Sequence, residues 1–415
     1  MSVVAHIGSP LARSGGPAGV VRQLKAGFAV CGTGGHRIIL PPEAPADASP
    51  PPRLTDRLMA PVRKLRHAIY GPPKQYRPDI ATLKAERGHA ERVMSTVWSD
   101  GIANAARQLD AAADADLLIM HDVPGASLAL QRRRPGQQVW LVMHPPLPLA
   151  LFHIWCYAVP EEEWQSIVDY PDVRRWIDRE LDVWRRVDRV FIATPDALDE
   201  LVRVDPRFAT AGRMIYALTG ASAGPVRDEP ATTLRGRWGL PLDQPVGLFL
   251  GNTQPYRGFD RLLSALDALP DPAAVPGMIV VAGPPALTVP RHDRLRPLGP
   301  VSDVGGLLRA VDFFVNVNRF NLFDLSIIEA AEAGLPLLLH RTGGNRSFER
   351  LGAGCVMFNS LEPREVAEAI AAMFAMRPDE RRELGERSRV CHALHLTPER
   401  YARRHLAMYN EVLAS

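Results

Sequence analysis

Asn316–Asn345 reads NVNRFNLFDLSIIEAAEAGLPLLLHRTGGN, and local rules divide it into four pieces. The apolar run ending near Val317 has strand length, and the polar stretch after it is a loop. A helix is expected from about Leu325 to Ala333, stopped by Gly334, with Pro336 opening the next strand. Strand, loop, helix, strand is the unit from which parallel sheets are built. The loop leaves free backbone N–H groups at a helix start, where unpaired donors and the helix dipole favour a phosphate. Glu329 falls just over one turn into that helix, placed to accept hydrogen bonds from two sugar hydroxyls. The competing reading of Glu329 is an ordinary solvated helix glutamate.

The same grammar extends in both directions. Val3–Ile7, Arg37–Leu40, Asp116–Met120, Val139–Met143 and Val190–Ala193 read as buried strands of a first sheet. Val20, Leu24 and Phe28, spaced by four, mark a helix between the first two. Pro245–Leu250, Met278–Ala282, Phe313–Val317, Pro336–His340 and Cys355–Phe358 read as strands of a second sheet. Between the halves, Thr219–Thr233 (TGASAGPVRDEPATT) is rich in small and turn-forming residues and reads as a linker. The expected architecture is α/β, two doubly wound domains facing across a cleft, with ligand at the carboxyl ends of the strands.

Composition narrows the function classes. The 415 residues carry 49 Lys and Arg against 46 Asp and Glu, a net +3 that does not mark a dedicated nucleic-acid binder. Cys31, Cys156, Cys355 and Cys391 form no CxxC pair, which argues against a disulfide framework or a cysteine-rich zinc site and favours a reducing cytoplasm. Met1–Gly8 lacks a basic leader, and no apolar run reaches the length of a spanning helix. Proline is the outlier at 38 residues, about 9% against a usual ~5%. Six of these prolines lie between Pro41 and Pro52, too dense for helix or central strand, so a loop or insertion over about 41–100 is expected.

Asn321–Ala330 (NLFDLSIIEA), with Gly334, Pro336, Gly343 and Gly344 after it, resembles the E-x7-E signature of the GT-B retaining glycosyltransferases of family GT4. In that family the second glutamate binds the ribose hydroxyls of a nucleotide-sugar, which falls on Glu329. The amides after the Phe, here Phe323 followed by Asp324 and Leu325, face the diphosphate and sugar. Two positions depart from the pattern: the first glutamate, which meets donor-sugar hydroxyls, is Asn321, and the glycine after Phe is Asp324. Asp324 has a plain local reading as the N-cap of the helix.

A second match is Leu248–Asp260 (LFLGNTQPYRGFD), which resembles the family's G-R-L-x-x-x-K-G segment, where an Arg and a Lys clamp the diphosphate. Arg257 stands at the Lys position with a bidentate fork, and Asn252 stands at the Arg position. Gly15-Gly16 resembles the family's N-terminal Gly-Gly loop near the donor sugar and phosphates. His144, in VMHPP, resembles a histidine beside the reacting sugar; His121 and Asp122 end the preceding strand in the same way. Ala282–Gly283 and Leu298–Gly299 fit loops lining a nucleobase pocket.

The resemblance implies GT-B architecture: an acceptor-binding domain over 1–222, a donor-binding domain over 223–395, and a helix over 396–415 crossing back to the first domain. It implies retaining transfer of a sugar from a UDP- or GDP-linked donor to a saccharide or lipid-linked hydroxyl, as in surface polysaccharide or glycoconjugate synthesis. Neither cofactor nor metal is expected, and no DxD-type cluster is seen. A nucleotide-sugar hydrolase, a phosphorylase and a non-catalytic nucleotide- or sugar-binding protein are the alternatives; Asn321, Asp324 and Asn252 favour the last.

The region 41–110 matches nothing in the family, and within it lies the stretch 53–77. Its basic residues are opposed only by Asp56, and Leu54, Leu58, Val62, Leu65 and Ile69 recur at helical spacing. It reads either as a basic amphipathic helix on an anionic membrane, making the protein cytoplasmic and peripheral, or as a helix packed on its own domain.

Overall fold

The computed structural model describes residues 1–11, 16–43, 88–155, 167–224, 229–270, 274–284 and 289–413. Gly15 and the basic stretch 53–77 lie outside the described residues. Two six-stranded sheets organise the rest. The first comprises β1 (Val3–Ile7), β2 (Arg37–Ile39), β3 (Leu117–Met120), β4 (Gln138–Val142), β5 (Arg189–Ile192) and β6 (Met214–Tyr216), in the order β2-β1-β3-β4-β5-β6. The second comprises β7 (Val246–Leu250), β8 (Met278–Ala282), β9 (Leu295–Gly299), β10 (Phe313–Asn316), β11 (Leu337–His340) and β12 (Cys355–Phe358), in the order β12-β11-β10-β7-β8-β9. Every strand pair is parallel. Both faces of each sheet are covered, which is why the inner strands are near-continuous apolar runs such as LLIM and MIVVA.

The direction of winding reverses between β1 and β3 in the first sheet and between β7 and β10 in the second. Such switch points open a crevice at the carboxyl ends of the strands. The ten expected strands are all present. β6 and β9 were not expected, and both are edge strands. β6 is three residues long, and β9 contains Pro297, whose missing N–H is tolerated only at a sheet rim. Helix Ala231–Trp238 begins inside the stretch read as linker.

The C-terminal helix Pro398–Leu413 returns to the first sheet. Tyr401, Ala402, Leu406 and Tyr409 are buried with Val4, Leu117, Trp140 and Val142 of the strands and Leu24 and Phe28 of helix Gly16–Cys31. The chain therefore crosses between the sheets twice, and the crossings are bonded together. Ala221 N–H donates to Leu396 O at 3.0 Å, and the His392 ring bonds through Nε2 to Ala221 O at 2.8 Å. Among the described residues no helix is long and apolar enough to cross a membrane.

Glu180, wholly buried on helix Pro171–Arg186, accepts the Leu149 N–H at 2.7 Å. That bond seats helix Leu149–Trp155, whose Phe152 ring meets Tyr256 of the second half at 5.6 Å. Burial pushes the Glu180 carboxyl up to about 8, with the Leu149 N–H opposing. Between 4.5 and 8 the folded state thus holds a proton that the unfolded chain has lost. Stability is favoured at low pH and falls as pH rises through this window, by up to roughly 1.4 kcal/mol per pH unit. Glu180→Gln should flatten that fall, so thermal melts of the two proteins at pH 5 to 9 should diverge progressively toward alkaline pH.

Candidate active site at the second switch point

Two loops meet where the second sheet reverses, one after β7 and one after β10. Backbone bonds hold them together: Arg319 N–H donates to Tyr256 O at 2.9 Å. The Arg319 guanidinium forks onto both Asp260 oxygens at 2.7 Å. Gly258 makes the approach possible. Its φ is +68°, and a Cβ there would lie 1.9 Å from Val317 O, so a side chain at this position would push the loops apart.

Arg257 projects from this junction, and its partner is Asp324. The Arg257 Nη1 donates to Asp324 Oδ2, and its Nε donates to the Tyr256 hydroxyl at 3.3 Å. Burial works against the guanidinium's charge, but the attraction of Asp324 and Tyr256 overrides it and raises the group further. Asp324 also accepts from Asn318 Nδ2 at 2.8 Å and from Asn316 Nδ2 at 3.4 Å. Asp324 does occupy the N-cap position of helix Leu325–Glu332, yet its side chain caps nothing. The carboxylate is turned toward Arg257 and the two amides instead. It sits among donors suited to a phosphate oxygen.

Glu329, on the same helix, is partly buried, and its carboxylate has no hydrogen-bond partner among the described residues. Burial, helped by Glu332 and opposed by Arg22, pushes it up to about 7. Arg22 belongs to helix Gly16–Cys31 of the first half. A Cβ on Gly19 of that helix would stand 3.0 Å from Leu325 Cδ1, so the amino ends of the two helices face one another across the cleft.

The other expected residues are placed as follows. Gly16 opens its helix, and a Cβ there would meet no atom of the described residues within 4 Å. Asn252 Oδ1 accepts from Gln254 N–H at 3.2 Å, a local turn. Phe323 stacks on Phe348 at 4.4 Å in the core, so its contribution near the cleft is backbone. Asn321 is buried: its Nδ2 donates to Asn345 Oδ1, while its Oδ1 is buried without a hydrogen-bond partner. Gly343 and Gly344 lie under the Asn321–Phe323 loop, with Gly344 N–H donating to Asn321 O at 2.9 Å. Gly283 N–H donates to Gly299 O at 2.8 Å, joining the loop after β8 to the end of β9. His144 follows β4 at the carboxyl edge of the first sheet, bonded to His121 at 2.9 Å. Asp122 instead caps helix Val123–Arg132, accepting the Gly125 N–H at 2.6 Å.

Asn316, Asn318, Asn345 and Arg22 were missed in the sequence. Asn316 and Asn318 carried a readable signal, since polar residues two apart at a strand's end project to one side.

The fold is GT-B. Residues 244–376 match the family model described as Glycosyl transferases group 1. The match lies within the second half of the chain. The D-inositol 3-phosphate glycosyltransferase of Acidothermus cellulolyticus is 26% identical over 59% of this chain and 58% of its own. The chain spans about half the length of most of the curated relatives it matches. Among solved structures, sucrose-phosphate synthase from Thermosynechococcus elongatus superposes with a TM-score of 0.69 at 17% identity, covering 100% of both chains. Anabaena HepE in complex with UDP and glucose superposes with a TM-score of 0.61 at 16% identity, again over 100% of both.

The Arg257–Asp324 pair yields a direct test. Asp324→Asn keeps an acceptor beside Arg257 but removes the competing charge. Titration calorimetry with inorganic pyrophosphate should show tighter binding than the parent, by roughly tenfold or about 1.4 kcal/mol. The melting temperature should fall, because the buried guanidinium loses its counter-charge.

Proposed function

We propose that this protein is a retaining glycosyltransferase that moves a sugar from a nucleotide-diphosphate donor to a hydroxyl of a saccharide or lipid-linked acceptor. The observation that carries the reading is the convergence at the β7/β10 switch point. One cation, one helix amino end and one free carboxylate a turn further in stand where a diphosphate and its ribose would lie. A UDP donor is supported by the ligands of Anabaena HepE.

In the proposed reaction the anomeric carbon–phosphate oxygen bond breaks as the acceptor oxygen bonds to the same face of that carbon. The acceptor's proton passes to the departing phosphate. Arg257 meets the charge that grows on the leaving group, and Glu329 holds the ribose hydroxyls. Positioning and electrostatics supply the catalysis, and no cofactor or metal is invoked.

A second reading has one observation in its favour. Arg257 is already neutralised by Asp324, as in a site that binds a sugar or nucleotide without turning it over. Incubating UDP- and GDP-sugars with and without candidate acceptors separates the possibilities. Acceptor-dependent nucleotide release supports the transferase, acceptor-independent release a hydrolase, and binding without release the second reading.

Two variants probe the assigned roles. Arg257→Ala should lower kcat about 10²–10³-fold with a smaller change in donor affinity, because the charge it meets develops in the transition state. Arg257→Lys should recover part of that loss. Glu329→Gln should weaken nucleotide binding by roughly 1.5–3 kcal/mol at pH 8, where the carboxylate is ionised and its bonds to hydroxyls are charge-assisted. With Glu329 ionising near 7, parental affinity should rise from pH 6 to 8, and the Gln variant should show no such rise.

A further inference from the structure

Behind the cleft edge of the first sheet, four histidines and a tyrosine form one continuous hydrogen-bonded chain. His144 Nε2 lies 2.9 Å from His121 Nδ1, and His121 Nε2 lies 3.0 Å from His6 Nδ1. His6 Nε2 lies 2.9 Å from the Tyr409 hydroxyl, which lies 2.8 Å from His405 Nδ1. The inner four residues are at most 5% exposed. His144, at the outer end, is partly buried, and its Nδ1 has no hydrogen-bond partner among the described residues.

Burial holds all four rings in the neutral form, with His6 down to about 3 and His144 to about 4. Burial, with neighbouring rings and Arg404 adding to it, lowers His121 and His405 as well. A neutral imidazole carries one N–H and a phenol one O–H. The chain therefore holds five protons for four links, and one proton is left over. It can rest on His405 Nε2, on the Tyr409 oxygen with both flanking rings donating to it, or on His144 Nδ1. His405 Nε2 is buried with no hydrogen-bond partner, so a proton there is an orphaned donor, and a Tyr409 proton between two donating rings is orphaned too. Orphaned buried donors are rarer in proteins than under-used acceptors.

We propose that this chain is a tautomer lock: its dry inner end drives the fifth proton outward to His144 Nδ1, so His144 meets the cleft as a hydrogen-bond donor and not as a base. His121, His6, Tyr409 and His405 are then positioning residues, and the matching ligand group is an oxygen lone pair. Taking that oxygen to belong to a sugar rests on the glycosyltransferase reading; the tautomer does not.

The test is NMR of the full chain labelled with [¹⁵N]histidine at neutral pH, using multiple-bond spectra that separate protonated from bare ring nitrogens. The spectrum of His144→Gln identifies the His144 signals. The lock requires a protonated Nδ1 and a bare Nε2 at His144, and the opposite pattern overturns it. His405→Glu places an acceptor at the dry end, which should reverse every link and shift His144 to the Nε2–H form. A folded variant that leaves His144 unchanged overturns the coupling. If His405→Glu does not fold, His121→Phe serves: cutting the first link should leave His144 a mixture of tautomers, and an unaltered Nδ1–H form overturns the proposal. Transferase activity enters none of these readouts, so a failure here is distinguishable from a failure of the functional reading.

Discussion

The return of the chain through 392–398 is the constraint on which the two-sheet arrangement depends. Helix Pro398–Leu413 covers one face of the first sheet with Tyr401, Leu406 and Tyr409, burying apolar surface worth about 25 cal/mol per Å². The residues leading into it pack with the second sheet, as Cys391 and Leu396 do. The two crossings are bonded at Ala221, Leu396 and His392. A change in the angle between the sheets must bend both crossings together, so they define a common hinge. The same helix supplies Tyr409 and His405 to the histidine chain, which links the state of the cleft edge to the seating of the last helix.

Much of this was legible because it is local. The Asn316–Asn345 stretch encodes strand, loop, helix and strand in sequence order, and the observed helix Leu325–Glu332 falls within a residue of the expected end. What was illegible depends on contacts between distant residues. Asp324 reads as an N-cap from its neighbours, and only the Gly258–Val317 approach explains why Arg257 claims its carboxylate. His6 and Tyr409 are 403 positions apart, so no motif could pair them. β6 and β9 were missed for a different reason: β6, three residues of MIY, is too short to show a period, and β9, LRPLG, is interrupted by Arg296 and Pro297.

The Arg257–Asp324 pair sharpens what the site must do. A carboxylate accepting from Arg257, Asn316 and Asn318 already satisfies the donors that a phosphate oxygen would recruit. In the proposed reading, a diphosphate entering this site would exchange one anion for another, so its net gain would be smaller than the attraction of a bare cation. Asn252, neutral and engaged in its own turn, adds no second positive charge. The helix amino end at Leu325 and the opposing one at Gly16 would then carry more of the anion's stabilisation, through backbone N–H groups that the Asp324 side chain leaves uncapped.

Those two helix ends belong to different halves of the chain, which would make donor binding in the proposed reading sensitive to the angle between the sheets. On the far side the halves meet through helix Pro195–Val204. Thr342 donates to Glu200 at 2.6 Å, Ser347 donates to Asp196, and Arg346 pairs with Asp199 at 2.5 Å. Asp199 is largely exposed, and exposed pairs are generally worth no more than about 1 kcal/mol. The Glu200 contact is buried: its Oε1 accepts from Thr342, its Oε2 stands 3.0 Å from Arg203 Nη2, and burial still pushes the group upward against both. Taking that carboxylate out of water offsets part of what its bonds contribute. The closed arrangement is therefore held more firmly at the apolar hinge than at this rim. Opening at the rim while the hinge stays packed is the low-cost motion, and in the proposed reading it would admit the donor from the side where Gly16, Leu325 and Glu329 lie.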